Sequence, residues 1–281
     1  MSSSAVVRRG ARAYPEVVTE PPDPHALLSL AVALAEEAGA VIATRLSGGR
    51  VRVDTKSSVV DLVTDVDRAV EALIVERLRA ERPADGVVGE EGAERDGESG
   101  VRWLIDPIDG TTNFVYGVPA FAVSICAVAG DEPAAGVVLD VPRGERFAAA
   151  RGGGATRNGE RIGVTSKAEL PTALLGTGFG YDAAHRARQA RALQRVLPAV
   201  RDIRRGGSAA LDLCWVACGR LDAYYEDGVQ PWDTAAGELI VREAGGRVAR
   251  MDGARPGSVV VASGPALLDP LTRLLAEALH A

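Results

Sequence analysis

Residues 103–114 read Trp-Leu-Ile-Asp-Pro-Ile-Asp-Gly-Thr-Thr-Asn-Phe, and the rest of the chain is organised around this stretch. Its apolar start predicts a buried strand, which we expect to end at Pro107 because proline cannot donate to a sheet ladder. Gly110 permits a tight reversal after it. Asp106 and Asp109 can converge on such a turn, and two threonines and an asparagine follow. Carboxylate, carbonyl and hydroxyl oxygens are the ligands of a hard cation such as Mg²⁺, although a solvated turn also explains a lone pair of acids.

The composition describes an acidic globular protein. The 281 residues are 47% hydrophobic, 25% charged and 4% aromatic, with a net charge of −6, and this length fits one large domain or two lobes. The charge and the few aromatic residues argue against a nucleic-acid partner. The three cysteines (Cys126, Cys214 and Cys218) lack metal-binding spacing, so we expect them to be reduced. Cys214 and Cys218 lie four apart in an apolar helical pattern, which predicts that they pack in the core. Since no apolar run reaches the roughly 18 residues that a membrane span needs and no secretion signal is recognisable, we expect a cytoplasmic protein with no membrane partner.

The chain divides into three parts. Residues 1–22, rich in serine, arginine and proline, predict a disordered N-terminal arm. Residues 23–168 predict an α+β lobe with two helices and several antiparallel hairpins, and residues 169–281 predict an α/β lobe. In the second lobe, strands are expected at 173–176, near Ile203, at 221–225, 247–250 and 258–262, and helices at 183–197, 208–218, 233–244 and 265–280.

Further acidic residues lie at predicted strand ends and helix starts. Asp67 falls in the first turn of a helix, where an acid favours the helix dipole, and Glu90 and Glu91 directly follow a short strand. Asp233 begins another helix. Each acid has a plain explanation as a cap or a solvated charge. Their shared position, where loops from one side of an α/β core converge, predicts one common site.

Other motifs are less specific. The segment 204–210 opens a helix with small residues, and such a helix start binds anions, although Ser208 as an ordinary N-cap explains it equally well. The glycines at 152–154 lack the continuation of a phosphate-binding loop, and Asn158-Gly159 predicts a tight turn. No Ser-His or Cys-His pair is apparent, because the three histidines (His25, His185 and His280) lie in or beside helices, away from every motif.

Together these motifs resemble the inositol monophosphatase family. The order, spacing and identity of Asp67, Glu90-Glu91, the segment 106–111 and Trp232-Asp233, followed by Gly245-Gly246, match that family over roughly residues 26–280. The resemblance implies a layered αβαβα sandwich of the metal-dependent sugar phosphatase type, with an α+β part and an α/β part. It also implies lithium-sensitive, Mg²⁺-dependent hydrolysis of a phosphate monoester by a metal-activated water, with two or three Mg²⁺ ions, in a homodimer.

The resemblance also implies a role for each site residue. It places Glu90, Asp106, the Ile108 carbonyl and Thr111 in a first metal site, and Asp106, Asp109 and Asp233 in a second. It assigns catalysis to Asp67, Glu90 and Thr111, where a hydrogen bond between Asp67 and Thr111 helps to activate the attacking water. The residues expected to contact the substrate are Glu90, Ile108, Asp109, Gly110, Thr111, Gly207, Ser208, Ala209, Glu226 and Asp233.

The substrate is less closely defined. The segments 175–181 and 205–213 resemble bacterial inositol-1-phosphatases, so we expect a phosphorylated polyol, inositol 1-phosphate. Glu226 favours a polyol because a carboxylate accepts hydrogen bonds from two neighbouring hydroxyl groups. Histidinol phosphate, fructose 1,6-bisphosphate and 3′-phosphoadenosine phosphates are alternatives, because relatives that hydrolyse them share the metal motif. A regulatory binding protein on this fold is a further alternative, and the arginines at 8, 9 and 12 would supply a partner-binding arm. The loop at 56–58 matches a mobile loop near the metals.

Overall fold

The computed structural model describes residues 22–48, 53–56, 62–255 and 257–279. The predicted N-terminal arm lies outside these residues except for Pro22, and so do Val51, Ser57 and Ser58 of the first predicted strand and loop. Within the described residues the helices are α1 (Pro24–Gly48), α2 (Asp65–Glu81), α3 (Thr111–Tyr116), α4 (Ala183–Val196), α5 (Ala209–Ala217), α6 (Pro231–Glu243) and α7 (Pro265–Leu279), with short 3₁₀ turns at Leu170–Thr172 and Leu197–Ala199.

The described strands form three sheets. They are β1 (Val53–Thr55), β2 (Leu62–Thr64), β3 (Gly86–Gly89), β4 (Glu94–Arg95), β5 (Val101–Asp109), β6 (Ala122–Ala129), β7 (Glu132–Asp140), β8 (Glu145–Ala150), β9 (Gly154–Arg157), β10 (Glu160–Arg161), β11 (Leu174–Thr177), β12 (Asp202–Arg204), β13 (Ala223–Asp227), β14 (Arg247–Met251) and β15 (Val259–Ser263). The pair β1–β2 is a small sheet of its own.

The large sheet has the strand order β10-β9-β8-β7-β6-β5-β3-β4. Its neighbours are antiparallel except β3 and β5, which run parallel. Side chains alternate between its faces: Trp103 and Ile105 of β5 join the core under α1 and α2, whereas Leu104 joins the core under α5 and α6. The antiparallel hairpins predicted within residues 23–168 are confirmed by the pairs β6–β7 and β7–β8.

The second sheet has the order β12-β11-β13-β15-β14. Its strand β11 runs parallel to both of its neighbours, and β15 runs antiparallel to both of its own. Helices α1 and α2 cover the outer face of the large sheet, α5 and α6 lie between the sheets, and α4 and α7 cover the outer face of the second sheet. This is the expected layered αβαβα sandwich. The division into two lobes at residue 168 stays a prediction.

The central strand does not end at Pro107, so that expectation was wrong. Strand β5 continues to Asp109, and its register with β6 shifts between the pair Asp106–Ser124 and the pair Asp109–Ala122. Pro107 therefore lies in an irregular stretch of the ladder, where its missing N–H group leaves no partner unsatisfied. The bulge separates the two acids and keeps both at the end of the strand. A short helix, α3, follows at once and was not predicted.

Helix α1 is long and apolar enough, by length and composition, to cross a membrane: its segment Pro24–Leu46 has a mean hydropathy of 1.8. The expectation that no apolar run reaches roughly 18 residues was therefore wrong for this segment. In the structure Leu34 and Ile42 are fully buried in the core beneath the large sheet. This packing is that of a core helix in a globular protein.

Two of the three cysteines are buried in the core between the two sheets. Cys126 of β6 and Cys214 of α5 are buried there among alanine, leucine and valine side chains, and Cys218 packs against the same cluster. The predicted packing role is confirmed for Cys214 and, with a partly buried side chain, for Cys218.

Candidate active site

A pocket of about 340 Å³ opens where β5, β13 and the starts of α3, α5 and α6 meet. Ten of the predicted site residues line it: Glu90, Asp106, Ile108, Asp109, Gly110, Thr111, Gly207, Ala209, Glu226 and Asp233. The other two, Asp67 and Ser208, lie behind its wall and hydrogen-bond to residues that line it. A larger cavity of about 510 Å³ lies on the other side of α6 and holds none of the twelve. The chemistry of the acids therefore points to the smaller pocket.

Asp67 is both a helix cap and a part of the site. Its Oδ2 accepts a 2.9 Å hydrogen bond from the Thr64 amide and another from the Thr64 hydroxyl, which completes a capping box at the start of α2. Its Oδ1 lies 3.1 Å from the Thr111 hydroxyl. Burial raises the pKa of Asp67, and the bonds from Thr64 and Thr111 oppose that shift. The structural and functional interpretations of this acid are thus compatible.

Asp106 is a buried acid at the centre of the cluster. It is 2% exposed, and its Oδ1 accepts a 3.0 Å hydrogen bond from the Ile108 amide across the bulge. Burial raises the pKa of Asp106 well above its usual value, and the charges of Glu90, Asp109 and Asp233 raise it further. Four carboxyl groups therefore repel one another at this point.

Asp109 connects the large sheet to the helix layer between the sheets. Its Oδ2 accepts hydrogen bonds of 2.6 Å from the Ser208 hydroxyl and 2.6 Å from the Ala210 amide at the start of α5. The Ser208 hydroxyl in turn accepts a 3.2 Å bond from the Leu211 amide, so it is also the N-cap of α5. The predicted N-cap is confirmed, and the Ser208 hydroxyl donates its hydrogen to Asp109.

The turn after Asp109 requires a glycine. Gly110 has φ +100, a left-handed conformation that disfavours other residues. A Cβ there would also lie 3.0 Å from the Ala120 carbonyl oxygen. Helix α3 begins at the next residue, Thr111, and the first amides of a helix have no partner within it. Amide hydrogens at 110 and 111 therefore border the acid cluster.

Asp233 lies in the first turn of α6, but the helix begins at Pro231 and its N-cap is Gln230, so the interpretation of Asp233 as the N-cap was wrong. Asp233 Oδ2 accepts a 2.7 Å hydrogen bond from the Gln230 amide in a capping box. Burial, followed by the charge of Asp109, raises its pKa well above the usual value. The preceding Trp232 carbonyl accepts a 3.1 Å bond from Ser124 of β6, which fixes the start of α6 against the large sheet.

Glu90 and Glu91 share one cation of the chain. Lys56 Nζ lies 2.8 Å from Glu90 Oε1 and 2.6 Å from Glu91 Oε1. Burial raises the pKa of Glu91 to about 7 although Lys56 opposes the shift. Behind this pair, Glu71 of α2 accepts hydrogen bonds from the amides of Glu91 and Ala93, at 2.8 and 2.9 Å, and so holds the turn that carries Glu90.

The donor set fits a hard divalent cation. Carboxylates, the Ile108 carbonyl and the Thr111 hydroxyl are oxygen ligands, and their mutual repulsion, relieved in part by Lys56, calls for additional positive charge. Among the described residues, no three Asp, Glu, His or Cys side chains are already arranged to hold a metal ion. One oxygen of Asp109 and one of Asp233, Oδ2 in each case, accept hydrogen bonds from protein amides, which hold these two carboxylates in place.

The other end of the pocket is built around Glu226, the penultimate residue of β13. Its Oε2 accepts a 2.8 Å hydrogen bond from the Tyr224 hydroxyl. Burial raises the pKa of Glu226 to about 7, and Tyr224 and Arg205 oppose the shift. A Cβ at Gly178 would lie 2.0 Å from Glu226 Oε2, so the carboxylate packs directly against this backbone and a side chain there would displace it.

The expectation that all histidines lie far from the motifs was wrong for His185. Its ring lines the pocket and its Nε2 lies 2.9 Å from Asp227 Oδ2. Asp182, Gly228 and Val229 also line the pocket and were not predicted. Asp182 had a sequence signal, since it is the N-cap of the predicted helix α4. His185 had none, because its partner is 42 positions away and the pairing depends on the tertiary fold.

Known proteins are similar to this chain in both sequence and fold. The model of the inositol monophosphatase family matches residues 23–281. The inositol-1-monophosphatase SuhB of Mycobacterium tuberculosis is 48% identical over 275 residues, which cover 90% of this chain and 94% of that protein. A protein of Haemophilus influenzae named Nus factor SuhB is 40% identical over 254 residues, covering 88% and 95% of the two chains.

A solved structure agrees with these sequence matches. The extragenic suppressor protein suhB of Bartonella henselae superposes with a TM-score of 0.83 at 37% identity, covering 89% of this chain and 98% of that one. The sequence match, the layered fold and the acid-lined pocket agree. The chain therefore belongs to the inositol monophosphatase family.

Proposed function

We propose that this protein is a phosphoric monoester hydrolase that converts inositol 1-phosphate to inositol and phosphate with Mg²⁺ as its cofactor. The observation that carries the proposal is a single pocket with two chemically different ends. Glu90, Asp106, Asp109 and Asp233 line one end, and Glu226 lines the other. The first end suits cations and a phosphate group, and the second suits hydroxyl groups.

The acidic end would hold two or three Mg²⁺ ions. Glu90, Asp106, the Ile108 carbonyl and Thr111 would bind one ion, and Asp106, Asp109 and Asp233 would bind another. Bound Mg²⁺ supplies positive charge that offsets the repulsion between these acids and a phosphate ester, and it lowers the pKa of water. The amides at 110 and 111 would donate hydrogen bonds to phosphate oxygens.

Thr111 and Asp67 would orient the attacking water. The Thr111 hydroxyl lies 3.1 Å from Asp67 Oδ1 and 3.0 Å from the Ile108 carbonyl, and its one hydrogen serves one of them at a time. When that hydrogen is donated to Asp67, the Thr111 oxygen keeps lone pairs to accept a hydrogen bond from water. Burial raises the pKa of Asp67, which suits it to take up a proton through Thr111.

The leaving alcohol would occupy the other end of the pocket. Asp233 lies near both Asp109 and Glu226, whose charges raise its pKa after burial. This position suits a residue beside the leaving-group oxygen. Glu226 would then accept hydrogen bonds from ring hydroxyls, and Gly207 and Ala209 would border the same group, with Ser208 behind them on Asp109.

A panel of phosphate esters tests the proposal. Phosphate release would be measured from inositol 1-phosphate, histidinol phosphate, fructose 1,6-bisphosphate and 3′-phosphoadenosine 5′-phosphate, with Mg²⁺ and with EDTA. We expect the highest kcat/KM for inositol 1-phosphate and no turnover in EDTA. A higher kcat/KM for histidinol phosphate would reassign the substrate, because an ammonium group also suits Glu226. Turnover in EDTA would reject the metal-dependent reaction.

A role in transcription is the second candidate. It is favoured by the relative named Nus factor SuhB. All the acids of the predicted metal sites are present in this chain, and a purely regulatory protein has no need of them. The Asp106→Asn variant separates the two functions, because it should lose phosphate release and keep any binding to a transcription complex.

Three further properties are part of the proposal. We expect a homodimer, in which the exposed Tyr116 and Val118 near the end of α3 supply apolar contact surface; light scattering of the purified protein checks the mass. We expect a cytoplasmic location, without nucleic-acid or membrane partners. Inhibition by lithium is expected from the resemblance and is measured in the same phosphate-release assay.

A further inference from the structure

Two separate backbone segments form the walls of the pocket around Glu226. One wall is the loop at 179–182 between β11 and α4, and the other is the end of β13 with the turn after it, at 226–229. Neither wall contributes to the acid cluster. Helix α4 lies behind both, and two of its side chains, His185 and Gln189, reach the space between them.

His185 donates a hydrogen bond to the second wall. Its Nε2 lies 2.9 Å from Asp227 Oδ2, and the same carboxylate also accepts bonds from the Ala254 amide at 2.9 Å and from the Ser258 hydroxyl. Burial alone would raise the pKa of Asp227, but these bonds lower it below its usual value. Because an ionised carboxylate only accepts, the Nε2 of His185 carries the hydrogen.

The His185 ring also fills the gap between the walls. A Cβ at Gly180, in the first wall, would lie 2.8 Å from its Nδ1, and a Cβ at Gly228, in the second wall, would lie 2.8 Å from its Cε1. Gly228 also has φ +97, so both its backbone conformation and the close approach of the ring favour glycine there. The imidazole therefore packs directly against the backbone of both walls.

Gln189 makes a second connection one helical turn later. Its Oε1 accepts a 3.0 Å bond from the Gly180 amide, and its Nε2 donates a 3.2 Å bond to the Asp227 carbonyl. Residues four apart on a helix lie on the same face. His185 and Gln189 thus connect the same two points, Gly180 and Asp227, and fix the width of the pocket at this end.

We propose that His185 is a positioning residue for substrate specificity: by holding Gly180 and Asp227 at a fixed separation, it orients the neighbouring Glu226 toward the hydroxyl groups of the leaving alcohol. The identity of that alcohol as a polyol rests on the proposed function. The carboxylate of Glu226 lies against Gly178, the residue directly before the first wall, as its close approach shows. A change in the separation of the walls therefore displaces the group that recognises hydroxyls and leaves the acid cluster in place.

Steady-state kinetics of His185→Phe and His185→Gln test this role. Phenylalanine keeps the bulk of the ring and loses the donor, whereas glutamine offers an amide donor to Asp227. For His185→Phe we expect KM for inositol 1-phosphate to rise about tenfold, while kcat changes less than about threefold. A tenfold change is the scale of one lost hydrogen bond between the charged Glu226 and a substrate hydroxyl group. The loss on 4-nitrophenyl phosphate, which has no hydroxyl groups for Glu226, should be clearly smaller. His185→Gln should recover part of the KM.

Arg188→Ala is the matched control on the same helix. Arg188 is exposed and lies outside the pocket, so both substrates should be hydrolysed as by the wild type. Equal losses on the two esters in His185→Phe, or an unchanged KM for inositol 1-phosphate, would overturn the proposal. If the wild type prefers another ester of the panel, the proposed substrate fails, and the same comparison with that ester still decides the role of His185.

A spectroscopic measurement does not depend on activity. In protein labelled with nitrogen-15 at histidine, a donated Nε2–H of His185 should give a ring proton signal protected from exchange with water, and the signal should be missing in His185→Gln. A wild-type spectrum with no such His185 signal would contradict the hydrogen bond on which the proposal depends.

Discussion

Asp109 accepts a 2.6 Å hydrogen bond from the hydroxyl of Ser208, 99 positions later in the chain. This bond joins the end of the central strand of the large sheet to the first turn of α5. The same hydroxyl caps α5 by accepting from the Leu211 amide. One serine therefore holds a predicted metal ligand and the start of a helix in fixed relation, and the two halves of the site depend on it.

The Ser208→Ala variant should lose both contacts. We expect the free energy of unfolding to fall by about 1–3 kcal/mol, the combined scale of a helix cap and a hydrogen bond to a charged group. The Mg²⁺ concentration for half-maximal activity should rise, because Asp109 is no longer oriented. Urea unfolding and Mg²⁺ titration measure these effects. Ser208→Thr keeps the hydroxyl and is the control; a loss as large as that of alanine would mean that packing, and not the hydroxyl, matters.

The Asp106→Asn variant should nearly abolish activity. Asp106 is expected to bind both metal ions. Substitution of a residue that only supports a metal ligand typically lowers metal affinity or activity roughly 10- to 100-fold. We therefore expect Asp106→Asn to lower activity more than about 100-fold. Phosphate release at saturating Mg²⁺ measures it. Glu71→Gln, which disturbs only the turn that carries Glu90, should lose less. Near-normal turnover by Asp106→Asn would rule out the two-metal assignment.

The sequence predicted the position of the acids well, because each lies in a local motif. The strand before Asp106 and the helices after Asp67 and Asp233 follow from short-range patterns of apolar residues, turns and caps. The family resemblance then implied that these segments meet. The fold class was predictable for the same reason, since alternating strands and helices in the second half favour layers.

The sequence did not predict contacts that depend on distant partners. Nothing near His185 indicates that it faces Asp227, and nothing near Asp109 indicates which donor its carboxylate will find. The strand end at Pro107 was wrong for a related reason: a proline forbids one ladder hydrogen bond, but a bulge removes the need for that bond. Such features depend on the register between strands and on side-chain packing, and neither can be obtained from one segment alone.

Stability should depend on pH and Mg²⁺ together. Burial and mutual repulsion raise the pKa values of Asp106 and Asp233, so the folded protein binds more protons than the unfolded chain above the ordinary aspartate pKa of about 4. The metal-free protein should therefore lose stability as the pH rises through that value toward the raised ones. Mg²⁺ can replace the protons, so the increase in Tm on adding Mg²⁺ should be larger at about pH 8 than at about pH 5.

The Asp106→Asn variant should respond differently from the wild type in the same measurement of Tm. Removing one of the repelling carboxylates should raise the Tm of the metal-free protein near neutral pH and reduce the increase on adding Mg²⁺. An increase in Tm that is independent of pH in the wild type, or equal in the variant, would show that Mg²⁺ does not bind at these acids.

The last prediction separates the reaction from the choice of substrate. Glu226 lies outside the acid cluster, at the end of β13, and burial raises its pKa to about 7. Glu226→Gln replaces a carboxylate that accepts from two hydroxyls by an amide with only one acceptor oxygen. The lost charge-assisted hydrogen bond is worth about 1.5–3 kcal/mol, so kcat/KM for inositol 1-phosphate should fall roughly 10- to 100-fold, mainly through KM, with a much smaller loss on 4-nitrophenyl phosphate.

The pH profile gives an independent check on the same residue. Because only the ionised carboxylate accepts two hydrogen bonds, the wild-type KM for inositol 1-phosphate should fall as the pH rises through about 7, where Glu226 loses its proton. Glu226→Gln cannot ionise, so its KM should not change there. Equal losses on both esters would instead make Glu226 a support of the metal site. A KM that depends on pH in the same way in the variant would assign the titration to another group, since glutamine carries no proton that could be lost near neutral pH.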